Sequence, residues 1–176
     1  MANVINVIPD HLIDSLANGN IDLKNDSIHV FLVNKEFIEK SNLQDISSCV
    51  HDAAAFSVTR PIKFDYILQH DKDSDFASII ANSNPSWSAV NKPIIAAGAV
   101  FYDIQAPIDN DIIYIMDFNG EQTAEDGGKF TLIINSAGLF SIEDYSNKQQ
   151  IKILKKRRPP KRTVGKIMPI GSRMRG

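Results

Sequence analysis

The chain has 176 residues, of which 43% are hydrophobic, 23% charged and 8% aromatic. That profile fits one ordinary globular domain and excludes a collagen-like repeat, a disulfide scaffold and wholesale disorder. The net charge of −2 hides a division: residues 1–145 hold all 21 acidic side chains and only 8 basic ones, whereas residues 146–176 hold 11 basic side chains and no acidic one. An acidic body of −13 followed by a basic segment of +11 is a pattern suited to contact with a partner.

Cys49 is the single cysteine and so cannot close an internal bridge. No apolar run approaches the roughly 20 residues of a membrane helix. The opening Met1-Ala-Asn-Val-Ile-Asn6 lacks the basic and apolar regions of a secretory leader. A protein made in a cytoplasm, with no membrane partner, is expected.

In chain order, Pro9-Asp10 opens a helix in which Leu12, Ile13 and Leu16 share one face, closing at Asn18-Gly19-Asn20. Ile28–Val33 is β-branched and aromatic, flanked by turn formers, and reads as a strand. Residues 35–48 form a second helix candidate with Phe37, Ile38 and Leu43 on one side. Ile62–Leu68 alternates apolar and polar residues like a half-buried strand. Asp71-Lys-Asp-Ser-Asp75 supplies the first three ligand positions of a calcium loop. Phe76 and Asn82 stand where that loop needs glycine and a bidentate glutamate, so a polar loop without metal is expected.

Trp87 reads as a core anchor at the start of a strand. Pro93–Tyr102 is continuously apolar with small residues at its centre, as in a strand buried on both faces, or one needing close backbone approach at Gly98. Ile112–Phe118 and Lys129–Ile134 flank a turn ending Asp126-Gly127-Gly128 and read as a hairpin. Ala137-Gly138 turns the chain into Leu139–Ile142. Many short strands with little helix between them indicate a mainly β fold, an antiparallel β-sandwich with one or two short helices.

After Tyr145 the composition changes. Ser146–Lys155 suits a short basic helix or strand, whereas Arg157-Arg158-Pro159-Pro160-Lys161-Arg162 cannot be a helix interior, because its prolines remove donors and hold the chain extended. The domain reading is therefore a body over 1–145 and an extended basic C-terminal arm over 146–176. Within the arm, Lys155, Lys156, Arg157, Arg158, Lys161 and Arg162 are candidate partner-binding charges, and Ile167, Met168 and Ile170 are candidate apolar anchors. The arm has no aromatic residue for base stacking, so any DNA contact would be nonspecific and confined to phosphates.

Catalytic signatures are missing from the sequence. It contains no nucleophile elbow, no phosphate loop and no paired-histidine zinc motif. His11, His29, His51 and His70 lack metal-ligand spacing, and Cys49 with His51 has no further thiol beside it. The expectation is a protein that is not an enzyme, with no catalytic residue, no metal and no cofactor.

One segment order carries a resemblance. Trp87-Ser-Ala-Val90 is followed by Ala96-Ala-Gly-Ala-Val-Phe-Tyr102, Ile113-Tyr-Ile-Met-Asp-Phe118, a polar loop with Glu121-Gln122, Gly128-Lys-Phe-Thr-Leu-Ile-Ile134 and Asn135-Ser-Ala-Gly-Leu-Phe140. That order resembles small virion structural proteins of tailed bacteriophages, with Leu139 at a position where their pattern has isoleucine. Gly19–Leu32 is similar to their opening turn and strand. The resemblance spans roughly residues 12–33 and 85–142 and carries over no catalytic residue.

It implies a place in the virion after synthesis in the bacterial host cytoplasm, as a capsid decoration or cement protein in many copies. The partners it implies are other virion proteins, either the major capsid protein or neck and tail subunits. The arm would supply the attachment. A head–tail junction or tail protein is the alternative, and a backbone-only nucleic-acid-binding protein a more distant one.

Overall fold

The strand-forming runs assemble into antiparallel sheets in a computed structural model that describes residues 4–40, 50–70, 76–107, 112–143 and 168–169. In chain order the strands are β1 (Ile5–Val7), β2 (Ile28–Val33), β3 (Ile62–Lys63), β4 (Tyr66–His70), β5 (Phe76–Ala81), β6 (Ser86–Ser88), β7 (Ile94–Asp103), β8 (Ile112–Ala124), β9 (Lys129–Thr131), β10 (Phe140–Glu143) and β11 (Met168–Pro169). The helices are α1 (Leu12–Asn18), α2 (Lys35–Lys40) and α3 (Val50–Ala54). A five-stranded sheet has the order β1-β8-β7-β2-β3, a four-stranded sheet β11-β10-β5-β4, and β6 pairs with β9 as a ribbon.

The two-residue alternation of a strand decides what each face meets. On β2, Val30 and Leu32 join Ala99 and Phe101 of β7 and Tyr114 and Met116 of β8 in the main core. That core also takes Ile79 from β5, Phe140 from β10, Trp87 from β6 and Phe130 from β9, so the five-stranded sheet packs against both smaller sheets. The chain is a mainly β sandwich built from antiparallel sheets, with three short helices among the described residues. Aromatic rings bridge the layers: Phe64 lies 5.1 Å from Phe101, Phe101 5.7 Å from Tyr114, and Tyr114 stacks on Phe140 at 5.4 Å.

On the opposite face, Phe31, Val33, Val100, Ile112 and Ile115 form a second cluster with Phe37 of α2 and Ala53 of α3. Asn34 starts α2 by accepting from the Phe37 N–H at 3.1 Å, which satisfies one of the donors a helix N-terminus leaves open. Its outward side carries the exposed pairs Lys35–Glu39 and Lys40–Glu36. Helix α1 buries Leu12 in the main core, and its neighbour His11 bonds through Nε2 to the Ile112 carbonyl at 2.9 Å.

Several sequence expectations change in detail. The run Ile62–Leu68 is two strands: β3 pairs with β2, and β4 pairs with β5 in the other sheet. The chain switches sheets at Phe64, which is buried and stacks on Tyr66 at 5.5 Å, making a corner of the sandwich. The expected hairpin of Ile112–Phe118 with Lys129–Ile134 does not form. β8 runs on to Ala124 along β7, and β9 turns to pair with β6.

The Asp126-Gly127-Gly128 turn is present, with the Gly128 N–H donating to the Glu125 carbonyl at 2.8 Å. It delivers Phe130 opposite Trp87 and onto Phe118, and this burial outweighs a direct β8–β9 ladder. Strands β1 and β5 and helix α3 were not anticipated. The helix candidate 35–48 is helical over Lys35–Lys40; its continuation, Cys49 and the Asp71–Asp75 loop lie outside the described residues.

Trp87, the single tryptophan, is 7% exposed, and its Nε1–H donates to the Arg60 carbonyl at 3.0 Å. Trp87→Phe is expected to cost about 1–3 kcal/mol, from the lost hydrogen bond to the Arg60 carbonyl and the space left by the smaller ring. Denaturant unfolding followed by circular dichroism checks this; a midpoint equal to that of the unsubstituted chain would contradict it.

Candidate interaction site

Of the residues singled out as partner contacts, Lys155, Lys156, Arg157, Arg158, Lys161, Arg162, Ile167 and Ile170 lie outside the described residues. Met168 is described. It forms β11 with Pro169 and pairs antiparallel with β10, Ser141 opposite Met168 and Phe140 opposite Pro169. A segment of the basic arm thus lies along the edge of the four-stranded sheet.

Local sequence explains why that edge is available. Strand β10 is held on its other side by β5, with Ser141 opposite Ser78, Ile142 opposite Ala77 and Glu143 opposite Phe76. It is entered through a tight turn in which the Gly138 N–H donates to the Asn135 carbonyl at 2.8 Å and the Ala137 N–H to Asn135 Oδ1 at 2.9 Å. Gly138 sits at φ 101°, and a Cβ there would stand 2.4 Å from the Ile79 carbonyl oxygen. Only glycine allows this approach. It lets the Leu139 N–H reach the Ile79 carbonyl at 2.9 Å and locks the start of β10 onto β5.

Phe140, fully buried against Tyr114, then anchors the strand from below. What remains is the outer row of β10 peptide groups, a template for another strand. Pro169 lacks an N–H, so it donates nothing to the ladder.

A second feature is an acidic corner at the start of β2. Asp103, at the end of β7 opposite Ile28, is fully buried. Its Oδ1 accepts from the Gln105 N–H at 2.8 Å, and the Gln105 Oε1 accepts from the Ser27 N–H at 2.6 Å. The other oxygen, Oδ2, is buried without a donor and faces the carboxylate of Asp26. Burial, with the carboxylate of Asp26 adding to it, pushes the Asp103 carboxyl up to about 6.

Asp26 Oδ2 is itself engaged by the Asp22 N–H at 2.6 Å. Asp22 is held below the usual carboxylate range by the Asn25 side chain and the Lys24 N–H. The Tyr66 hydroxyl donates to the Leu23 carbonyl at 2.6 Å, and burial and the nearby carboxylates push it up to about 12. Among the described residues, no group of three or more His, Cys, Asp or Glu side chains is placed to hold a metal.

No family model, curated protein or solved structure matches this chain. The reading of its function rests on its own residues.

Two elements of the site escaped sequence reasoning. The β10 edge carried a strand signal but nothing to mark it as an edge, because edge status depends on pairing with distant β5 and β11. Asp103 closed an apolar run like any strand-ending polar residue, and nothing in the run marks that it is buried and bonded to the Gln105 N–H.

Proposed function

We propose that this protein is a structural component of a tailed-phage virion, a capsid decoration or cement protein held in place by its basic C-terminal arm. The observation that carries the reading is the segregation of charge, −13 over residues 1–145 and +11 over residues 146–176, in a chain whose body is a β-sandwich. The strand order from Trp87 to Phe140 supports the virion class, and the seating of Met168 on a sheet edge supports an arm that attaches.

The physical division of labour follows from magnitudes. Exposed ion pairs contribute about 0–1 kcal/mol each and weaken with salt. Burying an aliphatic side chain contributes about 1.5–3 kcal/mol. The arginines and lysines from Lys155 to Arg162 draw the arm to acidic neighbouring subunits, and Ile167, Met168 and Ile170 hold it. Repetition over many copies turns modest contacts into lasting attachment.

Particles assembled with a chain truncated after Tyr145 are expected to lose the protein on purification, while the truncated body still melts cooperatively. Ile167→Asp with Ile170→Asp should weaken retention even at low salt. Full occupancy of particles by the truncated chain would overturn the role of the arm. Quantitative mass spectrometry of purified virions reads both results, and its copy number decides the station: hundreds for decoration, a dozen or fewer for neck or tail.

A further inference from the structure

Backbone hydrogen bonding separates three chemically similar dipeptides. Asparagine or aspartate stands directly before glycine at Asn18-Gly19, Asn119-Gly120 and Asp126-Gly127. In such a pair the glycine nitrogen can close a five-membered ring on the preceding side-chain carbonyl carbon, because no Cβ crowds the approach. The ring forms only where the glycine peptide can rotate and give up its N–H. A peptide already held in a backbone hydrogen bond must first open locally.

Two of the three are held. Gly19 is the C-cap of α1, and its N–H donates to the Leu16 carbonyl at 3.2 Å. The Asn20 N–H that follows donates to the Ser15 carbonyl at 2.9 Å, which fixes the turn on its far side as well. At Asp126-Gly127 the Gly127 N–H donates to the Ala89 carbonyl at 2.9 Å.

Asn119-Gly120 is placed differently. β8 lies between β1 and β7, and neither register includes this pair. β1 pairs with Ile115–Asp117, and β7 passes from Gly98 opposite Asp117 to Ala96 opposite Gln122. Residues 118–121 therefore bulge from the ladder against the single Ala97. Phe118 turns inward, fully buried and stacked on Phe130 at 6.0 Å, whereas Asn119, Gly120 and Glu121 are exposed. Asn119 has φ 53° and Gly120 φ 133°, and no atom beyond its chain neighbours lies within 4 Å of where a Gly120 Cβ would stand. The Asn119 N–H is bonded to Asp117 Oδ1 at 2.7 Å, so the peptide joining Asn119 to Gly120 sits beyond that anchor at the open tip.

We propose that Asn119 is a site of spontaneous modification, converting to aspartate and isoaspartate in the folded protein, while Asn18 and Asp126 are shielded. Once hydroxide has taken its proton, the Gly120 nitrogen attacks Asn119 Cγ. The N–Cγ bond forms, the Cγ–Nδ2 bond breaks, and ammonia leaves with a proton from water. Water then opens the cyclic imide. Breaking the N–Cγ bond gives aspartate; breaking the bond from that nitrogen to the Asn119 main-chain carbonyl carbon gives isoaspartate, which lengthens the backbone by a methylene. The net change consumes one water, releases one ammonia and turns a neutral amide into a carboxylate. The bulge accommodates the products, because its residues already lie outside the register and aspartate tolerates a left-handed backbone as asparagine does.

The test uses the full chain without substitution. It is incubated folded in mildly alkaline buffer, with a parallel sample in concentrated denaturant, and both are digested and mapped by mass spectrometry. The mass gained on amide-to-acid conversion locates each site, and electron-based fragmentation separates isoaspartate from aspartate. In the folded sample, acid is expected at Asn119 more than about ten-fold faster than at Asn18, and the denaturant should bring the two rates together. Isoaspartate at Asp126 should form in the unfolded sample alone. Equal rates at Asn18 and Asn119 in the folded chain would overturn the proposal, as would an Asn119 that stays intact while the unfolded sample converts. Asn119→Gln, whose side chain would have to close a larger ring, should lose the acidic species that isoelectric focusing resolves in the aged folded protein. Its persistence would place the conversion at another residue and discard the site.

Discussion

Gly98→Val is expected to unfold the chain or lower its stability by more than about 3 kcal/mol, because the position combines a backbone clash with a place in the middle of the sheet. Gly98 is flanked by Val33 of β2 on one side and Asp117 of β8 on the other. A Cβ built there would stand 2.6 Å from the Met116 carbonyl oxygen, 2.8 Å from Ile38 Cδ1 of α2 and 3.3 Å from Val33 Cγ2. The Ile38 methyl has room to rotate away. The Met116 carbonyl has little, since it belongs to the ladder joining β7 to β8.

Moving the backbone would break pairing with β2 or β8, and moving α2 would open the cluster around Phe31, Val33 and Phe37. Gly98→Ala already places the offending atom and should cost about 1–3 kcal/mol. Ile95→Thr, on the same strand but 44% exposed, should change stability by no more than about 0.5 kcal/mol. Thermal and denaturant unfolding of the three variants checks the series. Equal midpoints for Gly98→Val and Ile95→Thr would show that α2 and β8 adjust freely.

That prediction rests on a feature visible in the residue string. Of the two readings open for the small residues in Pro93–Tyr102, close approach at Gly98 is the one the structure shows there, with Ile38 of α2 against it. The same local logic found β2, α1 and the Ala137-Gly138 turn, because each depends on residues adjacent in sequence. It failed where distant pairing decides. The alternation over Ile62–Leu68 is continuous and gives no sign that the chain leaves one sheet for another at Phe64. β1, three residues long, exists because β8 offers Ile115–Asp117 as partners.

β5 follows directly on the acidic run Asp71–Asp75, and its strand character comes from pairing with β4 and β10. The candidate site divides in the same way. Met168 was legible as an apolar residue in a basic arm, whereas its partner strand was not, since its pairing with β10 joins residues far apart in sequence.

The acidic corner predicts an inverted pH response. Asp103 titrates near 3.8 when exposed and at about 6 in the folded chain. Between those values the native state binds the proton more readily than the unfolded state does, so stability falls as pH rises. The contribution from this group is complete below about pH 4 and is lost as the pH passes through about 6. Most carboxylates in proteins act in the opposite sense, because salt bridges and hydrogen bonds lower them.

Here burial dominates, and the buried Oδ2 has no donor, so a proton on Asp103 meets the need that the folded environment leaves. Asp22 stays ionised across this window, held low by Asn25 and Lys24, and Tyr66 titrates far above it. His29 responds in the opposite sense: burial and Lys63 depress it, so its contribution is lost as pH falls. The two responses oppose each other in the unsubstituted chain.

Asp103→Asn separates them. The amide oxygen keeps the Gln105 N–H satisfied, and the uncharged amide removes the cost of burying an ionised carboxylate. At pH 7–8 the variant is expected to be more stable than the unsubstituted chain by about 1–2 kcal/mol, with the gain vanishing below pH 4. Melting temperatures of both chains between pH 4 and 8 give this difference directly, free of His29, which both retain. A constant difference across that range would show that Asp103 does not exchange its proton there, and a destabilised variant at pH 8 would show that its charge is already compensated.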